Sequence, residues 1–259
     1  MNARTRYVST LVLIALTGKI IAQTVNVPLP KPEFKKWQFG ISFSPDYCFR
    51  TLLTDNSSTS ETVKLVRNDG ERPKLGYTGG LSIVYNFSKT IGLETGLLFS
   101  NKGYKYENSD LTFGDMIDPR RGFVYSSADI NIKSVKFIYS FYYIDVPLKV
   151  NFVFGKRNIR FITSVGVTTN VFLDERFTSV RYYQDGSKER NSSATNDDYN
   201  RINLSPQLGA GIDWKLNSKN NLRIEPTLRY GIMKINDDSV MGYLWNFGLN
   251  VNFLFGKSN

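Results

Sequence analysis

The chain has 259 residues and a formal net charge of +10, with no His anywhere and a single Cys. Those two counts exclude Ser-His, Cys-His and His-metal chemistry, and with them any internal disulfide, zinc cluster or iron–sulfur cluster. A mean hydropathy of −0.28 is that of an ordinary soluble chain, but 14% aromatic residues beside 22% charged ones is an unusual balance.

Residues 1–22 carry Arg4 and Arg6 ahead of an apolar run from Val8 to Leu16, followed by Ile20-Ile21-Ala22-Gln23. A basic start, a short apolar run and a small residue before the cut describe a secretory signal peptide, and the run is too short to span a membrane as a helix. Cleavage there removes three of the 33 basic residues and none of the 23 acidic ones, leaving +7. Residues 23–36, with Pro28, Pro30 and Pro32 among lysines, read as an extended periplasmic lead-in.

From Trp37 onward the apolar residues recur with period two, the spacing that puts alternate side chains on opposite faces of a strand. The alternating segments begin at Trp37, Leu75, Ile91, Tyr142, Ile159, Ile202, Leu222 and Tyr243. In the last, Tyr243, Trp245, Phe247, Leu249, Val251, Phe253 and Phe255 share one face, and Asn246, Gly248, Asn250 and Asn252 lie on the other. The eight segments predict eight strands. Three links are short, at 88–90, 155–158 and 217–221, whereas those at about 50–74, 103–135 and 175–201 are long and that at 234–241 is modest. Within the long links, Asn68-Asp69-Gly70 and Gln184-Asp185-Gly186 are read as hairpin turns, and Tyr182, Tyr183 and Tyr199 as braces of a ribbon.

Alternation alone does not name the solvent, because a soluble sandwich or lipocalin-like barrel alternates too. The polar face decides. It carries nearly all the glycines of these segments, which a solvent-facing strand has no use for but a cramped lumen does. Aromatic residues gather at the segment ends, where girdles meet the membrane surfaces, and short links alternate with long ones. The expected fold is therefore all-β, an eight-stranded antiparallel transmembrane barrel in an up-and-down meander over 37–259. It is placed in the outer membrane with both termini periplasmic.

The signal ending Ile20-Ile21-Ala22-Gln23, the segment Tyr143-Ile144-Asp145-Val146-Pro147-Leu148 and the terminal Phe253-Leu254-Phe255 resemble the PorT-like outer-membrane β-barrel family. The resemblance covers nearly the whole mature chain. It implies an eight-stranded barrel assembled by the outer-membrane insertion machinery, which reads the terminal aromatic strand. One branch of that family works in type IX secretion and would bring secretion-system proteins as partners. Pro147 departs from strand chemistry and predicts a local bulge or bend.

The candidate site is the lumen. The inward set comprises Glu94, Asp145, Lys149, Arg160, Asp213, Lys215, Arg223, Glu225 and Arg229. Opposite charges at similar heights are expected to pair, because an unpaired buried charge costs several kcal/mol. A gated proton or ion path along the same residues is the functional alternative. On the outer loops, Arg120, Arg121, Arg181, Lys188 and Arg190 are candidates for contact with lipopolysaccharide phosphates. The basic residues form no stripe with stacking aromatics, so nucleic acid is not an expected partner. Asp197-Asp198 and Asp237-Asp238 read as solvated turns, and Cys48 as a buried filler with no His to activate it. No enzymatic activity and no cofactor are expected. The functional expectation is an envelope scaffold that presents loops outward, with a type IX accessory, a small-solute channel and a secreted soluble barrel as alternatives.

Overall fold

A computed structural model describes residues 35–108, 116–117, 124–125, 132–194 and 199–256. The signal segment, the lead-in before Lys35, Arg120, Arg121 and Asp197-Asp198 lie outside the described residues. Strands β1 (Trp37–Thr54), β2 (Glu71–Asn86) and β3 (Ile91–Asn108) are followed by the two-residue strands β4 (Met116–Ile117) and β5 (Val124–Tyr125). Then come β6 (Ile132–Phe154), β7 (Ile159–Tyr183), β8 (Lys188–Ala194), β9 (Ile202–Lys215), β10 (Asn220–Tyr230) and β11 (Val240–Phe255). Eight of these close a ring in the order β1-β2-β3-β6-β7-β9-β10-β11, every pair antiparallel, with β11 returning to β1 from Phe39↔Phe255 to Thr54↔Val240. Closure removes every free strand edge from the membrane-spanning wall.

The apolar face points out. Phe43, Leu81, Leu97, Leu148, Leu208 and Phe253 are all exposed, while Ser42, Ser82, Glu94, Asn151 and Asn252 are buried on the axis. A soluble barrel or sandwich would bury the first set. Paired rings mark the ends of the apolar belt: Trp37 on Tyr85 at 4.6 Å and Phe39 on Phe255 at 6.3 Å near one rim, Phe49 stacked on Trp245 at 4.3 Å near the other.

The wall is uneven in height. β10 has 11 residues but β6 has 23 and β7 has 25, and a tilted strand needs only about 9–11 to cross the hydrocarbon. The excess of β6 and β7 stands beyond the belt with β1, β2 and β3, and β8 pairs with the distal half of β7. Gln184-Asp185-Gly186 makes the expected turn, with Gly186 at φ 84° donating its N–H to the Tyr183 carbonyl. Within the links at 103–135 and 175–201, residues 103–108, 132–135, 175–183 and 188–194 are strand, so the strands continue as a ribbon beyond the belt.

Two other expectations are corrected. Asn68-Asp69-Gly70 is no hairpin turn but the end of helix α1 (Ser58–Gly70). Ser57 caps that helix by accepting a hydrogen bond from the Ser60 N–H at 3.2 Å. The helix is polar nearly all round, so it leaves no hydrophobic periodicity in the sequence. Pro147 produces no bulge. The register runs evenly through Pro147↔Thr168 on β7, and the ladder to β3 only skips Gly96 and Leu97 with its register kept. The missing N–H therefore leaves a gap in one ladder rather than an extra residue. Irregularities fall instead between Pro73 and Tyr77, between Ile132 and Ser134, and at Tyr142/Tyr143, where Leu173 on β7 has no opposite residue.

Above the polar lumen sits an apolar core that the alternation did not disclose. Tyr104, Phe137, Tyr139, Phe141, Tyr143, Ile235 and Leu244 form it, and Tyr199 packs against it. The Arg50 guanidinium lies 3.7 Å from the Tyr104 ring centre and is ion-paired to Glu71, so it covers the aromatic cluster with a satisfied charge. Along β6 the inward parity never changes, yet its content does: Asp145, Lys149 and Asn151 face the axis below, and Phe137, Tyr139 and Phe141 above. Replacing the fully buried Phe141 by Ala should lower stability by about 3–5 kcal/mol. Reversible urea unfolding of the barrel in lipid vesicles measures this; an unchanged midpoint would mean the cluster is not a packed core.

Candidate functional site

Strand register assembles the lumen charges. Glu94 on β3 and Lys149 on β6 are direct cross-strand partners, and their charged atoms meet at 2.9 Å. Asp213 on β9 faces Arg160 on β7 and Arg223 on β10 across the two adjacent ladders; it is ion-paired to Arg160, and Arg223 Nε lies 3.7 Å from it. Arg223 then spans the axis to reach Glu94 at 2.7 Å. Glu94 is the hub, holding Lys149, Arg223 and the amides of Asn151 at 2.8 Å and Asn252 at 3.3 Å. Each of these contacts satisfies a group that the narrow axis removes from water.

A second tier lies nearer the aromatic core. Asp145 takes Lys102 at 3.0 Å and the Asn170 amide at 2.6 Å. Asp46 takes Arg229 at 3.3 Å and the hydroxyls of Ser44 and Thr78 at 2.6 and 2.5 Å. Glycine makes room for these carboxylates: a Cβ on Gly248 would strike the Asp46 carboxylate, and one on Gly209 the Glu225 carboxylate. Glu225 is fully buried with Lys149 Nζ 3.7 Å away, and neither of its oxygens accepts a hydrogen bond from the described residues. The base is closed by Lys35, whose ammonium donates to the Asn221 side-chain oxygen at 2.9 Å.

Of the nine sequence-derived lumen residues, the structure brings all but Lys215 into this network. Lys215 lies half-buried at the mouth with no ion-pair partner among the described residues. Among the described residues, Asp46, Lys102 and Lys35 are charges of this network that the sequence-derived set lacks. The parity of β1 places Asp46 inward, so its signal was available. Lys102 lies two residues past Ser100, the last position of the alternating segment, where nothing in the local pattern announces a strand.

The three described outer cations do not form one group. Arg181 pairs with Glu189 at 3.2 Å on β8, while the Lys188 ammonium stands 6.0 Å over the Tyr182 ring. Arg190 is the register partner of Val180. Asp237 is tied to Lys234 at 2.5 Å and Asp238 to the Asn236 amide, so both acids of this pair are engaged within their own turn. Cys48 is fully buried.

A closed ring with an apolar exterior, aromatic rims and a charged, packed axis is a β-barrel of the outer-membrane type. The sequence model of the outer membrane protein beta-barrel domain family matches residues 22–237, and the chain belongs to that family. A search of the curated proteins finds no match. Among solved structures, OprG from Pseudomonas aeruginosa is 10% identical with a TM-score of 0.42, covering 88% of this chain and 100% of that one. The Yersinia pestis attachment invasion locus protein Ail is 12% identical with a TM-score of 0.32 over 85% of this chain and 100% of that one. The Escherichia coli outer membrane protease OmpT is 8% identical with a TM-score of 0.40 over 90% and 99%. None of these likenesses carries an argument about activity.

Two measurements check the site. Glu94→Ala leaves Lys149 and Arg223 only their 3.7 Å contacts with Glu225 and Asp213 and should cost about 3–5 kcal/mol in unfolding free energy, whereas Lys215→Ala should be nearly neutral. In the folded barrel Cys48 should resist a water-soluble thiol reagent and react on unfolding; rapid labelling of the native protein would contradict its burial.

Proposed function

We propose that this outer-membrane barrel is a non-enzymatic envelope scaffold: its lumen is closed, both termini are periplasmic, and the tall side of its wall is presented outside the cell. The observation that carries this reading is the filled axis. Its central void, lined by Glu94, Asp145, Lys149 and Arg229, measures about 20 Å³, room for about one water molecule. The aromatic core caps the same axis on the side of the long strands. A conducting path would have to break both the ion pairs and the core. The short links β2–β3, β6–β7, β9–β10 gather at the opposite rim from the extended wall, which supports periplasmic termini. The absence of His, and the engagement of Asp237 and Asp238 within their own turn, supports a role without catalysis.

The second reading, an accessory of type IX secretion, rests on the Tyr143–Leu148 segment. That segment has duties within the barrel: Tyr143 is in the aromatic core, Asp145 anchors Lys102 and Asn170, and Pro147 lines the central void. Structural need alone accounts for it. A planar-bilayer recording of the purified protein should show no steady conductance, and a deletion strain should keep its secreted-protein profile while losing envelope integrity towards detergents. Steady conductance would make it a channel; a loss of secreted proteins would make it a secretion component.

A further inference from the structure

The outer face of the tall wall carries a basic groove just above the apolar belt. It is built by register. Arg72, Lys105, Ile138, Thr178 and Ser192 form one cross-strand row over β2, β3, β6, β7 and β8, with Glu107, Lys136, Val180 and Arg190 in the next row. The bulge between Pro73 and Tyr77 shifts the parity of β2 and turns Arg72 onto this face beside Lys105. The groove encloses about 890 Å³ and is lined by six cationic residues, Arg72, Lys74, Lys105, Lys136, Arg176 and Arg190, against one acidic residue, Glu107. Glu107 accepts from Lys136 at 2.6 Å and Lys105 at 2.9 Å. The hydrogen bond from Lys136 first, then that from Lys105, holds its carboxyl below the usual range, so it stays charged. Among the described residues Arg72 donates only to the main-chain carbonyls of Asp69 and Glu71, at 2.6 and 3.0 Å. Arg176 and Arg190 have no carboxylate partner among the described residues, although Asp174, opposite Tyr142, stands at the lower margin.

The floor of the groove is apolar and continuous with the belt: Tyr47, Leu75, Tyr77 and Tyr142 line it, and Leu75 is 78% exposed. Tyr142 stacks on Phe99 at 5.8 Å, and Phe99 lies 6.3 Å from Tyr77, which marks the aromatic girdle. The cationic rows begin two to four residues further along β6, roughly 7–13 Å by strand rise. That is the height at which lipid headgroups meet the wall.

We propose that this groove binds the phosphate groups of a multiply phosphorylated lipid of the outer leaflet, its acyl chains on the tyrosine and leucine floor and its phosphates on Arg72, Lys105, Arg176 and Arg190. Guanidinium forks match phosphate oxygens, and an apolar floor under a cationic rim fits an amphiphile better than a soluble anion. The site is distinct from the outer-loop cations read from the sequence, of which it uses Arg190 alone. It rests on the orientation proposed above, which surface labelling of Asp185→Cys in intact cells reports independently.

The test uses the full barrel refolded in detergent with purified bis-phosphorylated lipid A as probe. The quadruple variant R72Q/K105Q/R176Q/R190Q should bind at least about tenfold more weakly, as should the unaltered barrel with dephosphorylated lipid A. Millimolar inorganic phosphate should not displace the lipid. Equal binding by the variant, indifference to lipid phosphates, or displacement by inorganic phosphate would each overturn the proposal. The pair R176Q/R190Q, confined to β7 and β8, serves if the quadruple variant does not refold.

Discussion

Closing eight strands into a ring leaves an axis only wide enough for side chains, while the outside of the ring faces hydrocarbon. Every other physical feature of this molecule follows from that pair of constraints. Within the belt the apolar side chains are turned to the exterior, so the interior there is polar, and a polar interior without water must satisfy itself. Glu94 does so by gathering two cations and two amides around one carboxylate. The direct register partnership of Glu94 with Lys149 and of Asp213 with both Arg160 and Arg223 makes these pairs a property of the ladder rather than of flexible side chains. Removing one partner is costly for the same reason that the whole set is tolerated.

The solvent changes part-way along the wall, and the side chains change with it. On β6 the same inward parity supplies Asp145 and Lys149 within the belt and Phe137, Tyr139 and Phe141 beyond it. Outside, Leu148 and Val146 give way to Lys136 and Ser140. Below the girdle the barrel is apolar outside and polar inside; above it the arrangement is that of a water-soluble sheet. The two interiors meet at Tyr143 and Lys102, where the ammonium stands 5.2 Å over the tyrosine ring and also pairs with Asp145. That junction packs one interior against the other across the axis.

The eight membrane-crossing strands and the polarity of their faces were legible because period two is a local property, and lipid on one side with a packed axis on the other enforces it strictly. The heights of the strands were not. Beyond Ser100 and Phe172 the two faces no longer differ in the simple apolar-versus-polar sense, and bulges at Pro73–Tyr77 and Leu173 shift the parity. Helix α1 was invisible for a related reason: it has no apolar stripe, and Asn68-Asp69-Gly70 reads equally as a turn or as a helix end. Most of the lumen charges were identifiable one by one from parity, Lys102 excepted, but which of them touch was not. Arg223 and Glu94 are 129 residues apart, and only ring closure brings them face to face.

The sequence by itself determined that this chain closes strands around a polar axis with its greasy side turned out, since alternation and glycine placement are written residue by residue. Only the tertiary structure decided the partners of each buried charge, the aromatic core above them and the basic groove on the outer wall. Those depend on register between strands distant in the chain, and register is set by the closing of the ring rather than by any one segment.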